Sequence, residues 1–311
     1  MHEPSGRRQD TGRLWITGAS GLLGSALCTR STGWKILALR HGRDVPVAGT
    51  HSIRIDLTDY TSVKALFHTA PPDAVIHCAA ISDPGACERE PRATRRINVD
   101  AALNLACLCA DRAVPFVFTS SDLVFDGTSA PYRESDPVSP ISFYGEQKAE
   151  AEIGTLQAHP AAVVCRMPLL FGFRGDEPAG ALRGLLDKTP GTPPAQSVRL
   201  FADEYRTPAS TTVAAAGLLI ALRQRQHGLL HLGGGERISR YEFGRLCARV
   251  FDLDSSRFAA CRQSDVPLIP RRPPDVSLDI MKARQLGYSP PSLKEQLQAV
   301  RDGRIEGGME S

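Results

Sequence analysis

Apolar positions cluster in short continuous runs through the first half of the chain. Leu14-Trp15-Ile16, Trp34-Lys35-Ile36-Leu37-Ala38-Leu39, Ala74-Val75-Ile76-His77-Cys78-Ala79-Ala80, Val114-Pro115-Phe116-Val117-Phe118-Thr119 and Ala162-Val163-Val164-Cys165-Arg166 are near-continuous rather than alternating. Such runs suit strands covered on both faces. Helical stretches separate them up to about Leu170, as at Leu22–Thr29 and Ser142–Ala158. This alternation predicts an α/β fold with a doubly wound parallel sheet. Beyond Phe171 the pattern changes. Pro178–Thr207 is rich in Gly and Pro and reads as loop with one short helix. A helix over Thr211–Gln226 and a strand over Leu229–Leu232 then return to the sheet pattern. From Ser239 onward the chain reads as helix and loop, with the Pro-rich stretch Val266–Pro274.

The composition narrows the class. A chain of 311 residues holds one large α/β domain and a smaller second part. Charged residues make up 23%, as in a globular protein, and the net charge of +3 gives no case for nucleic acid. No apolar run reaches membrane-spanning length. The polar start, residues 1–12, lacks the apolar segment of a signal peptide and reads as a disordered leader. Residues 304–311 read as a flexible tail. The eight cysteines have no zinc-finger spacing, and several lie in apolar runs, which fits reduced core thiols in a cytoplasmic protein. His227 and His231 lie at the two ends of a strand, too far apart to share an ion. No metal site is expected.

Candidate chemistry begins at Gly18-Ala19-Ser20-Gly21-Leu22-Leu23-Gly24, directly after the first strand. A strand turning sharply into a helix presents free N–H groups and a favourable dipole to an anion. Gly18 permits the turn, Gly21 permits close approach of a pyrophosphate, and Gly24 permits close packing of helix on sheet. Gly18, Ser20, Gly21, Leu22, Leu23 and Gly24 are therefore expected dinucleotide contacts. The second strand ends in Arg40, with Arg43 nearby, where NAD-binding folds commonly carry an acidic residue. Two cations suit a 2′-phosphate, so NADP is expected, with NAD as the alternative. Asp56 and Leu57 are placed near the adenine, and Ala79 and Ala80 against the cofactor.

The reactive groups lie downstream. Thr119-Ser120-Ser121-Asp122 closes a strand at its carboxyl end, where ligands bind in open α/β sheets. Tyr144 and Lys148 are four apart on the next helix and share a face. An adjacent ammonium is expected to lower the Tyr144 pKa and tune the phenol for proton transfer.

Taken together, these stretches resemble the extended short-chain dehydrogenases/reductases, and within them the dTDP-4-dehydrorhamnose reductase branch. The matching residues are Thr17–Gly24, the run from Thr119 to Gly127 with its Val124-Phe125-Asp126-Gly127, and Tyr144–Lys148. Weaker matches are Asn98, Arg166-Met167-Pro168, Arg206-Thr207-Pro208, and Arg272-Pro273 with Ser277-Leu278-Asp279. The resemblance implies a Rossmann-type NAD(P)-binding domain (13–170 plus 209–235) and a smaller C-terminal substrate-binding lobe (171–208 plus 236–303). It implies Ser121, Tyr144 and Lys148 as a catalytic trio, with Tyr144 and Lys148 also touching the cofactor. It implies Asp122, Arg206 and Arg272 as substrate contacts. The activity implied is NADPH-dependent reduction of the 4-keto group of a nucleotide-linked deoxysugar, as in dTDP-rhamnose biosynthesis, and a homodimer is left open. The same motifs are similar to those of the methionine adenosyltransferase β subunit, a regulatory protein, and of epimerases. Leu123 departs from the branch, which usually has tyrosine there.

Overall fold

The computed structural model describes residues 12–42, 50–186, 198–267 and 270–307. The first half alternates as its apolar pattern predicts. β1 (Arg13–Thr17), α1 (Leu22–Arg30), β2 (Lys35–Arg40), β3 (Thr50–Arg54), α2 (Tyr60–Thr69) and β4 (Ala74–His77) come first. Short helices α3 (Pro84–Arg89) and α4 (Pro91–Arg95) lead through a π turn into α5 (Ala101–Ala110). Then come β5 (Phe116–Ser121), α6 (Phe143–Ala158) and β6 (Val163–Met167).

These strands form a parallel sheet in the order β12-β6-β5-β4-β1-β2-β3, closed at one edge by β12 (Gly228–His231). Successive residues enter opposite cores. Leu14 and Ile16 pack with Leu27 of α1 and Leu218 of α7 (Thr211–Arg223), while Trp15 packs with Phe67 of α2 and Leu105 of α5. Burial on both faces explains why the strands read as unbroken apolar runs. Chain order reverses between β1 and β4, which opens a crevice at the carboxyl ends of the strands.

The second part is built differently from the expected loop and short helix. Among the described residues, 178–207 contains no helix. It holds the end of β8 (Glu177–Gly180), which pairs antiparallel with β7 (Leu170–Arg174), then β9 (Val198–Phe201) and β10 (Tyr205–Arg206). β9 pairs with β14 (Phe258–Cys261), β10 with β13 (Ile238–Ser239), and β11 (Ala209–Ser210) with β7. Strands this short carry no readable alternation, and their partners are distant in sequence. A separate core of Phe171, Leu182, Leu200, Phe243 and Phe258 joins them to α8 (Arg240–Val250) and to Leu297 of α10 (Leu293–Gly307). Helix α9 (Met281–Gln285) lies between. The last helix runs on past Gly303 to Gly307, further than the expected tail boundary. The expected leader, apart from Gly12, and residues 308–311 lie outside the described residues. No described helix is long and apolar enough to cross a membrane.

Val124-Phe125 has a structural role. Both side chains are fully buried with Tyr132, Val276 and Leu278, and the Phe125 and Tyr132 rings stack 4.0 Å apart. The Tyr132 hydroxyl donates to Asp126 at 2.7 Å. This knot ties the segment after Ser121 to the C-terminal Val276–Leu278 segment and so draws the second part over the crevice.

Candidate active site

The crevice opens into a cavity of about 760 Å³ whose wall joins the α1 turn to Ser121, Tyr144, Lys148 and the second part of the molecule. At one end lies the N-terminus of α1. Side chains cap α2, α6, α7 and α8, but Gly21 caps α1 without any side-chain bond. Its first amides are left for another acceptor, and Gly21, Leu22 and Leu23 line the cavity. Gly18 adopts φ +63°, the left-handed region that favours glycine. A Cβ on Gly24 would overlap the Gly18 carbonyl and crowd Ala19, so only glycine lets the helix close on the turn. These features fit a dinucleotide pyrophosphate. Thr17 braces the turn from behind. Its hydroxyl accepts from the amides of Cys78 and Ala79 at 3.1 and 3.2 Å and contacts His77 Nδ1 at 2.8 Å.

The other expected cofactor residues are placed as follows. Gly18, Gly24 and Ala80 line the cavity; Ser20 and Ala79 are in the same turns but outside its wall. Arg40 ends β2, with Nε donating to Ser52 Oγ at 2.9 Å and Nη1 to the Gly42 carbonyl at 2.8 Å. Ile55 N–H donates to the Arg40 carbonyl, which sets Asp56 and Leu57 beside that strand end. Asp56 Oδ1 is held by the amide and hydroxyl of Thr58, bonds that keep its carboxyl below the usual range. Arg43 lies outside the described residues.

Ser142 caps α6, the helix that brings Tyr144 and Lys148 to the cavity. Its first turn lies against the segment after β5, because Gly145 has no Cβ to strike the Leu123 carbonyl. Gln147, missed by the sequence reading, anchors the helix. Asn98 Nδ2 donates to Gln147 Oε1 at 2.8 Å, and Gln147 Nε2 donates to Thr94 Oγ1 and the Pro91 carbonyl, each at 3.0 Å. Lys148 is 1% exposed, donates to the Thr119 carbonyl at 2.6 Å, and lies 4.1 Å from the Phe118 ring centre. Burial pulls its pKa down to about 8.

The Tyr144 pKa moves opposite to expectation. Burial raises it, with the Asp122 charge adding to the rise and a hydrogen bond with Ser121 opposing it. Loss of hydration dominates, and the expected lowering by Lys148 is not among the causes of the shift. Tyr144 therefore keeps its proton at neutral pH and can donate it.

Ser121 Oγ donates to Asp122 Oδ1 at 3.2 Å and accepts from the Leu123 amide at 3.2 Å. Asp122 Oδ2 takes a 2.8 Å ion pair from Arg206, whose Nη2 reaches Glu204 at 3.4 Å; all three side chains are buried. Arg272 is half-exposed and pairs with Glu204 at 3.2 Å. Asp122, Arg206 and Arg272 thus all line the cavity, but Arg206 spends two donors on protein carboxylates. Glu204 and Arg240 also line it, and the sequence reading passed over both. The Ser239…Glu242 capping box marks the start of α8 and could have placed Arg240 at a helix N-terminus.

The family model of the RmlD substrate binding domain matches residues 12–304. A probable low-salt glycan biosynthesis reductase of Haloferax volcanii is 31% identical, over 92% of this chain and 96% of its own length. Methionine adenosyltransferase 2 subunit beta of Xenopus laevis is 33% identical, over 88% and 82%. The dTDP-4-dehydrorhamnose reductase of Bacillus anthracis, solved with NADP, superposes with a TM-score of 0.83 at 20% identity, over 94% of this chain and 99% of that one.

Proposed function

Because the chain belongs to the RmlD substrate binding domain family, within the extended short-chain dehydrogenases/reductases, we propose that it reduces the 4-keto group of a nucleotide-linked deoxysugar with NADPH. One observation carries this reading. A buried, protonated Tyr144, its neighbour Ser121 and a buried Lys148 meet in the same cavity as the open N-terminus of α1. NADP is favoured, with NAD as the alternative, and the NADP-bound relative supports it.

When bound, the reduced nicotinamide supplies the hydride. The α1 amides and the Gly18–Gly24 turn hold the pyrophosphate. Lys148 holds the nicotinamide ribose. Ser121 turns its hydroxyl from Asp122 to the substrate carbonyl and polarises it. Tyr144 delivers its proton to the oxygen as charge develops there, and its burial keeps that proton available until then. Leu123, at the cavity wall beside Ser121, offers the sugar an apolar contact and no hydroxyl.

The methionine adenosyltransferase 2 subunit beta relative at 33% identity favours a second reading, a regulatory subunit that binds the dinucleotide without turnover. A thermal-shift panel of NADPH, NADH, and dTDP-, UDP- and GDP-sugars separates the two. The reductase reading expects stabilisation by NADPH and a further shift from one class of sugar nucleotide. Stabilisation by NADPH with no response to any sugar nucleotide would favour the regulatory reading.

A further inference from the structure

We propose that Arg240 grips the diphosphate of the nucleotide substrate, and that Arg206 instead positions Asp122 and Ser121. This rests on the sugar-nucleotide reading above.

Three guanidiniums, of Arg206, Arg240 and Arg272, meet two carboxylates, of Asp122 and Glu204, in one wall of the cavity. The fold creates this meeting. β10 and β13 pair Arg206 with Ile238 and Tyr205 with Ser239, and the Arg240 amide then donates to the Glu204 carbonyl at 2.9 Å. The three arginines are bonded very differently. Arg206 donates to both Asp122 and Glu204. Arg272 donates to Glu204 from a half-exposed position. The Nη1 of Arg240 is shielded from solvent and has no hydrogen-bond partner among the described residues.

A solvent-shielded donor on a cation is costly to leave unpaired unless something accepts it. Burial also works against the charge of Arg240, as do Arg206 and Arg272, with Glu204 opposing them. The wall thus holds an excess of positive charge and a ready donor. A phosphate oxygen satisfies both, and guanidinium geometry suits it. Arg206 donates from Nη1 to Asp122, which accepts from Ser121, and from Nη2 to Glu204; its Nε has no partner among the described residues, but both of its terminal nitrogens are held by protein carboxylates. Its role is to hold that carboxylate in place.

The test is calorimetric binding of dTDP, UDP and GDP to the NADPH-loaded protein, with inorganic pyrophosphate as competitor. Arg240→Gln is expected to weaken the preferred nucleotide about 10- to 100-fold, the range for losing a charged hydrogen bond. Arg240→Lys is expected to recover part of that loss. NADPH affinity and melting temperature are expected to stay at parental values. Unchanged nucleotide affinity in Arg240→Gln would overturn the inference and leave the sugar-nucleotide reading standing. Equal losses of nucleotide and NADPH affinity with a lowered melting temperature would also overturn it, by showing a structural role. A parental protein that binds none of dTDP, UDP, GDP or pyrophosphate would overturn both.

Discussion

Burial sets the protonation of the two α6 side chains proposed to be reactive, in opposite directions: Tyr144 is held neutral, and Lys148 titrates near pH 8. The unfolded chain has Lys148 titrating near its ordinary value of 10.5. Between about pH 8 and 10.5 the unfolded chain therefore binds more protons, and native stability gains as pH rises through that window. Function runs the other way, because the proposed ribose contact uses the ammonium. NADPH affinity is expected to fall as pH rises through 8 in the parental protein. Lys148→Met is expected to bind NADPH weakly on both sides of pH 8, without that inflection. Fluorescence titration with NADPH across the range checks this, and a flat parental profile would detach Lys148 from cofactor binding.

At the scale of elements, the approach of α6 to the end of β5 depends on Gly145. A Cβ there would overlap the Leu123 carbonyl and press on the Pro140 ring. Gly145→Ala is expected to cost about 1–3 kcal/mol through overpacking and to slow turnover by displacing Tyr144. Gly154, later in the same helix, would meet only the flexible Leu103 side chain. Gly154→Ala is expected to leave turnover intact, because helix propensity offsets that crowding. Thermal unfolding and kcat of the two variants check the contrast. The same scale explains what the sequence made legible. Strands buried on both faces must be apolar throughout, so β1, β2, β4, β5 and β6 were readable. The turn at Gly18 and the spacing of Tyr144 and Lys148 follow from local geometry. The pairing of β9 with β14 and the meeting of Glu204 with Arg240 depend on strands of two to four residues paired across long separations. The pKa of Tyr144 depends on burial depth, which helix periodicity does not report.

Across the whole molecule, two buried histidines tie stability to pH. Burial pulls the pKa of His77 and of His231 down to about 3. His77 contacts Thr17 Oγ1 behind the cofactor turn, and His231 contacts the Tyr132 carbonyl at 3.2 Å and packs edge-on against the Phe125 ring. Both stay neutral in the native state while the unfolded chain protonates near 6.5. Stability is thus lost as pH falls from 6.5 toward 3, by about 2 kcal/mol per histidine at pH 5. Denaturant unfolding at several pH values is expected to show this slope, and His231→Gln to reduce it. The proposed reaction also spans the whole molecule, because Ser121, Tyr144 and Lys148 come from the sheet-and-helix half while Arg206, Arg240 and Arg272 of the second part line the same cavity. Transfer of label from NADPH carrying deuterium at the reactive position tests this account most directly. With the preferred 4-keto sugar nucleotide, the parental protein is expected to deliver one deuterium to C4 of the sugar, and Tyr144→Phe to do so ~10²–10⁴-fold more slowly while binding NADPH normally. Label transfer at the parental rate by Tyr144→Phe, or none by the parental protein with any sugar nucleotide that binds it, would contradict the account.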